Sequence, residues 1–208
     1  MNIGLFFGSF NPVHNGHLII ANYVCQTTHL DKVWLVVSPQ NPLKQKESLL
    51  REYDRLHLIN LAIENNENLK ASDIEFKLPK PSYTIDTLTY LSEKYPQHRF
   101  TLIMGSDNLL NLYKWKNHEL LLRKYQFIVY NRRGSAENPY PNNPNITILN
   151  FPFIDISATF IRENIKKGIS MQYFLPEKVW DYIKNNGLYK SWNSLFTKNL
   201  LISQILCW

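Results

Sequence analysis

Short apolar runs alternating with helix-patterned stretches constrain this chain more than any other feature. Residues 2–7, 32–37, 100–104 and 127–130 are almost unbroken in apolar side chains, the pattern of strands buried on both faces. Shorter runs at 69–76 and 146–149 read as further strands. Helical periodicity occupies 17–27, 47–65 and 83–94, a broken helix 109–122, and helices follow at 158–167 and 177–186. Ser157 is placed to cap the first of that last pair and Gly168 to stop it, while Pro176 opens the second and Gly187 closes it. The alternation predicts an α/β fold with a doubly wound, Rossmann-like parallel sheet and helices on both faces. With 208 residues, 44% of them hydrophobic, the chain has material for one sizeable core and too little for two catalytic domains. In such a sheet, ligands sit outside the carboxyl ends of the strands.

The turn after the first run carries the densest chemistry. Residues 8–17 read Gly-Ser-Phe-Asn-Pro-Val-His-Asn-Gly-His. A strand, a tight turn and a helix start aim backbone N–H groups and the positive helix end at a phosphate. His14 and His17, three residues apart, can hydrogen-bond the same anion. A His-x-x-His pair also shares a helix face and can bind a metal, but no cysteine or carboxylate stands at short spacing to complete a zinc site.

The candidate sites at 38–44, 105–107 and 155–162 also follow predicted strands. Ser157, Thr159 and Arg162, in Ile156-Ser157-Ala158-Thr159-Phe160-Ile161-Arg162, bring hydroxyls, amides and a guanidinium to a helix N-terminus, which suits a polyphosphate. Lys44 ends the proline-stiffened stretch Ser38-Pro39-Gln40-Asn41-Pro42-Leu43-Lys44. Tyr83 and Thr84 open a helix in Pro81-Ser82-Tyr83-Thr84-Ile85-Asp86-Thr87-Leu88. Gly105-Ser106-Asp107-Asn108-Leu109 closes a strand ahead of Trp115-Lys116. Singly, a capped helix, a loop lysine or a core aromatic explains each of these.

Together they resemble known signatures. The string at 8–17 is similar to the G-x-F-[DN]-P-x-H-x-G-H motif of the nucleotidyltransferase superfamily. Residues 156–162 resemble its second signature, I-S-[ST]-x-x-[IV]-R, with Ala158 where serine is frequent. The stretches at 81–88 and 105–115 look like the P-S-Y-T-x-D-T-L and G-x-D-x-L…W motifs of bacterial nicotinate mononucleotide adenylyltransferases. The resemblance covers residues 1–189. It implies adenylyl transfer from ATP to nicotinate mononucleotide, giving the deamido dinucleotide and pyrophosphate in NAD biosynthesis. It assigns ATP binding to Gly8, Ser9, Phe10, Gly105, Asp107, Ser157 and Thr159, with Asp107 on a ribose hydroxyl. His14 and His17 would meet the phosphates, and Lys44 and Arg162 the leaving pyrophosphate. Thr84 would meet the nicotinate carboxylate, with Trp115 and Tyr83 against the pyridine ring. Mg²⁺ is expected with ATP, on substrate oxygens and water and with no protein metal site.

A net charge of +6 favours anionic partners, but the basic residues are scattered and no nucleic-acid-binding motif is present, so no nucleic acid is expected. Two distant cysteines, Cys25 and Cys207, suit a reducing cytoplasm. The opening residues lack a basic n-region and no apolar run reaches the roughly 18 residues of a membrane span, so neither a signal peptide nor a membrane span is expected. Residues 190–208 form an apolar C-terminal extension, read as an amphipathic helix packing on the body or on a second subunit of a homo-oligomer. The alternatives are a related transferase acting on nicotinamide mononucleotide or phosphopantetheine, or, from other classes, a nucleotide-binding sensor without turnover or a basic nucleic-acid-binding module.

Overall fold

The computed structural model describes residues 1–39, 49–131, 138–150, 152 and 154–190. Six strands form one parallel sheet: β1 (Asn2–Gly8), β2 (Lys32–Val37), β3 (Leu69–Ser72), β4 (Arg99–Gly105), β5 (Gln126–Tyr130) and β6 (Ile146–Leu149). Their spatial order is β3-β2-β1-β4-β5-β6. The chain winds outward from β1 in one direction, then returns to β4 and winds in the other. The sheet therefore reverses between β1 and β4, where a doubly wound fold opens its crevice.

Alternation along the strands explains the two-sided burial. Val33, Leu35 and Val37 of β2 join Phe6, Ile103 and Ile128 in one core, while Trp34 and Val36 join Leu5, Leu102, Met104 and Val129 in the other. Successive side chains point to opposite faces, so a run apolar at every position fills both. The first core is covered by α1 (Asn15–Thr27), α2 (Glu52–Ile63), α6 (Ala158–Lys166) and α7 (Glu177–Asn185), the second by α3 (Thr84–Lys94), α4 (Ser106–Leu110) and α5 (His118–Lys124). The doubly wound α/β expectation holds. Gly4 in β1 packs closely: a Cβ there would lie 2.6 Å from the methyl ends of both Ile103 and Leu30.

Several element ends differ from the sequence reading. The first helix begins at Asn15 rather than His17, with His14 as its extended N-cap. The helix expected over 47–65 runs only from Glu52 to Ile63, after an extended Arg51. The broken helix over 109–122 resolves into α4, a 3-10 turn at Leu112–Lys114 and α5, the last entered through a left-handed Asn117 (φ +52). The strand expected over 69–76 stops at Ser72 and becomes a 3-10 turn at Ile74–Lys77. That turn drives Glu75 into the protein, where only 3% of it is exposed.

Inside, Thr87 donates its hydroxyl to Glu75 Oε1 at 2.9 Å, and the hydroxyls of Ser38 and Ser82 also bond this carboxyl. Burial pushes the Glu75 pKa above the ordinary carboxylate range, and the three hydroxyls only partly oppose it. The folded chain therefore holds this proton more readily than the unfolded chain. Its stability falls as pH rises from the unfolded value of about 4.3 through the raised folded one. Glu75→Gln removes that dependence. Urea melts at pH 4.5 and pH 8 should show the variant gaining on the wild type toward the alkaline end; a wild type that gains on the variant as pH rises would refute this.

Candidate active site

The carboxyl ends of the central strands are level. Gly8 pairs in register with Val37, and Gly105 with Tyr130. The residues singled out at 8–17 and 105–107 thus flank the point of sheet reversal. Ser157 caps α6, its Oγ accepting the Phe160 N–H at 3.1 Å.

His14 and His17 form one unit. Their rings stack with centroids 3.6 Å apart and planes 25° from parallel. His14 is buried at 3% exposure, whereas His17 is half-buried. The backbone N–H of His14 donates to His17 Nδ1 at 3.3 Å. A neutral His17 ring with that Nδ1 accepting carries its proton on Nε2, so its outer nitrogen is a donor. Phe10 supports the ring from below at 5.0 Å between centroids. The Phe10 side chain is 1% exposed and its φ is +45, so it belongs to the core and offers the site only its backbone. Gly8 fits closely under that ring, because a Cβ at position 8 would lie 3.0–3.2 Å from the Phe10 ring. At Gly16 a Cβ would press on the His14 ring at 3.1 Å and reach Ile154 at 3.4 Å. The segment leading into α6 therefore lies against the first turn of α1.

Arg162 closes this half of the site. Its Nη1 donates to the carbonyl of Asn11 at 2.8 Å, and its Nη2 to Thr159 Oγ1 at 3.3 Å. The imidazoles, the loop after β1, Thr159 and Arg162 are thus in one place, as expected from segments far apart in sequence. Ser157 and Thr159 are exposed at the helix start, and Asp107 is exposed in the first turn of α4. Lys44 lies outside the described residues, as do residues 191–208 of the C-terminal extension.

The second half lies at the start of α3. Thr84 is its first residue and Tyr83 its N-cap, 38% exposed. Lys116 pairs with Asp86 at 2.8 Å and sits 4.9 Å from the centroid of the Tyr83 ring. This links the turn bearing Trp115 to the start of α3, with Trp115 half-buried against the second core.

Four supporting residues escaped the sequence reading as such. Arg55 of α2 is fully buried and donates to four carbonyls: Leu50 at 3.0 Å, Ser9 at 2.6 Å, Ser38 at 2.8 Å and Pro39 at 3.1 Å. Desolvation lowers its pKa from the usual arginine value, yet a guanidinium titrates so high that it stays charged. Its position three and four residues before the buried Leu58 and Ile59 was the available signal, since these share one helix face. Asn11 was quoted only within its motif, and it receives Arg162 on its carbonyl and both Leu50 N–H (3.2 Å) and Tyr189 Oη (2.7 Å) on Oδ1. Glu75 bonds Ser38 and Ser82 at once, joining the end of β2 to the segment before Tyr83. For Glu75 and Tyr189 the sequence carried no signal.

Comparisons with known proteins agree with this architecture. A family model described as cytidylyltransferase-like matches residues 5–164. A protein of Flavobacterium psychrophilum named "Probable nicotinate-nucleotide adenylyltransferase" is 53% identical over 91% of this chain and all of its own length. One of the same name from Cytophaga hutchinsonii is 51% identical over 92% of the chain and all of its own length. Among solved structures, the nicotinic acid mononucleotide adenylyltransferase of Plasmodium falciparum complexed with NaAD superposes with a TM-score of 0.77. It covers 90% of this chain and 97% of that one, at 22% identity, and speaks for the fold alone. With the switch-point site and relatives above half identity along nearly its whole length, this chain belongs to the nicotinate-nucleotide adenylyltransferase family of cytidylyltransferase-like proteins.

Proposed function

We propose that the chain transfers the adenylyl group of ATP to nicotinate mononucleotide, releasing pyrophosphate and the deamido dinucleotide. One observation supports this most: imidazole, amide and guanidinium donors gather at the β1–β4 reversal, while a second, aromatic and hydroxyl-bearing half stands at the start of α3. The names of the relatives point the same way.

The reaction makes one bond and breaks one. A phosphate oxygen of the mononucleotide attacks the α-phosphorus of ATP, and the α–β bridging oxygen leaves with pyrophosphate. The attacking phosphate is already ionised near neutral pH, so no general base is needed. What opposes the step is repulsion between anions and poor alignment, and both yield to positioned donors. His17 Nε2–H and His14 would hold the phosphates around the α-phosphorus. Arg162, and Lys44 from outside the described residues, would take the charge growing on pyrophosphate. Ser157, Thr159, Asp107 and the backbone of Gly8, Ser9, Phe10 and Gly105 would seat the nucleotide. Thr84 would meet the nicotinate carboxylate, and Tyr83 and Trp115 the pyridine ring.

Among the described residues, no three or more His, Cys, Asp or Glu side chains are grouped to hold a metal ion. A Mg²⁺ entering with ATP fits phosphate oxygens and water as its ligands, where it shields charge. No described helix is long and apolar enough to cross a membrane, and Cys25 is a free, buried thiol.

Pyrophosphate release from MgATP, measured with nicotinate mononucleotide and in parallel with nicotinamide mononucleotide, tests the reading. Release with the acid alone supports it. Release with both overturns the acceptor pocket, and bound ATP without release from either overturns the transferase. Within that assay, His17→Ala should lower kcat about 10²–10³-fold, as for loss of one transition-state donor, with folding little changed. Equal turnover removes His17 from its role. Trp115→Ala should raise KM for the nicotinate substrate at least about fivefold, the lower end of what one aromatic stack is worth. KM for ATP should stay nearly constant, and a matched rise in both would count against the ring contact.

A further inference from the structure

Tyr189 stands far along the chain from the loop after β1, yet its hydroxyl donates to Asn11 Oδ1 at 2.7 Å. The chain reaches this point by a sharp reversal. Beyond α7 the Leu188 N–H returns to the Ile183 carbonyl at 3.0 Å, Gly187 has φ +61 and Tyr189 φ +63. A left-handed tyrosine is costly and persists where its surroundings fix it. Here the ring packs on the first core and the hydroxyl is engaged. Burial pushes the phenol pKa up, against the pull of the Arg162 and Arg55 charges, so the group is a neutral donor.

Asn11 is itself 3% exposed and turns this contact into a relay. Its side-chain oxygen takes Tyr189 and the Leu50 N–H, while its carbonyl takes Arg162. The second described bond of Arg162, to Thr159 Oγ1, is long at 3.3 Å. The Asn11 carbonyl is therefore the firmer of the two restraints on a rotamer-rich side chain.

We propose that Tyr189 is a positioning residue for the phosphate-binding arm, its hydroxyl fixing Asn11 and Asn11 in turn fixing Arg162. The proposal rests on the nucleotide reading above, and its test needs no acceptor substrate. MgATP affinity is measured by calorimetry for the wild type, Tyr189→Phe, Arg162→Met and the double variant, with a melting temperature for each. Tyr189→Phe deletes one oxygen and should weaken ATP binding about three- to tenfold, within the range of one buried hydrogen bond. In the Arg162→Met background the same change should cost less than about twofold, because the group it acts through is gone. Unchanged affinity in the first comparison, or the same loss in both, overturns the relay. If Tyr189→Phe fails to fold, Asn11→Ala is carried through the same comparison with the same criteria. A folded wild type that binds no ATP overturns the nucleotide reading and this inference with it, a result distinct from every other.

Discussion

The site depends first on a charge that never meets solvent. Arg55 is fully buried and its described hydrogen bonds run to backbone carbonyls drawn from the turn after β1, the turn after β2 and the approach to α2. A planar guanidinium with donors in a fixed fork can hold several acceptors at set angles, which a lysine cannot. Turns have little side-chain packing to define them, and carbonyls turned inward need donors. One residue supplies both needs. Its desolvation is the cost, and the charge-assisted bonds offset it.

Ser38 carries this order from one half of the site to the other. Its N–H donates to the Gly8 carbonyl at 2.9 Å, its carbonyl accepts from Arg55, and its hydroxyl bonds Glu75. Glu75 in turn bonds Ser82, next to Tyr83, and Thr87, one turn into α3. A buried cation and a buried carboxyl therefore sit on either side of a single serine at the end of β2. The half proposed to bind phosphates is referred to Arg55 and the half proposed to bind the acceptor to Glu75. Alignment of two anionic substrates is the main task of such a site, and a rigid path between the halves serves it directly.

What the sequence revealed follows from the period of its signals. Strands buried on both faces leave unbroken apolar runs, so β1, β2, β4 and β5 were legible and the doubly wound class with them. The groups proposed to approach a ligand lie in turns and helix starts, where unusual residue types cluster, and His14, His17, Thr84 and Arg162 stood out for that reason. The strand ending at Ser72 was misread because Ile74, Glu75 and Phe76 look like a continuation, and only the tertiary contacts of Glu75 explain the turn. Arg55, Asn11 and Tyr189 act through hydrogen bonds between distant segments. A local pattern carries no trace of such a partner.

This division between visible and hidden residues has a physical basis. A group that meets substrate must be exposed and chemically distinctive, which a motif records. A group that holds it in place must be buried and satisfied, and its identity depends on whichever backbone atoms happen to face it. Tyr189 is the extreme case, since its role is set by a carboxamide 178 residues away. The fold resolves this by bringing α7 back over α2 and the first core, so that Tyr189, just beyond that helix, closes on the first loop of the sheet. The donors around the switch point are therefore braced from both ends of the described chain, and their alignment becomes a property of the whole domain rather than of the loop that displays them.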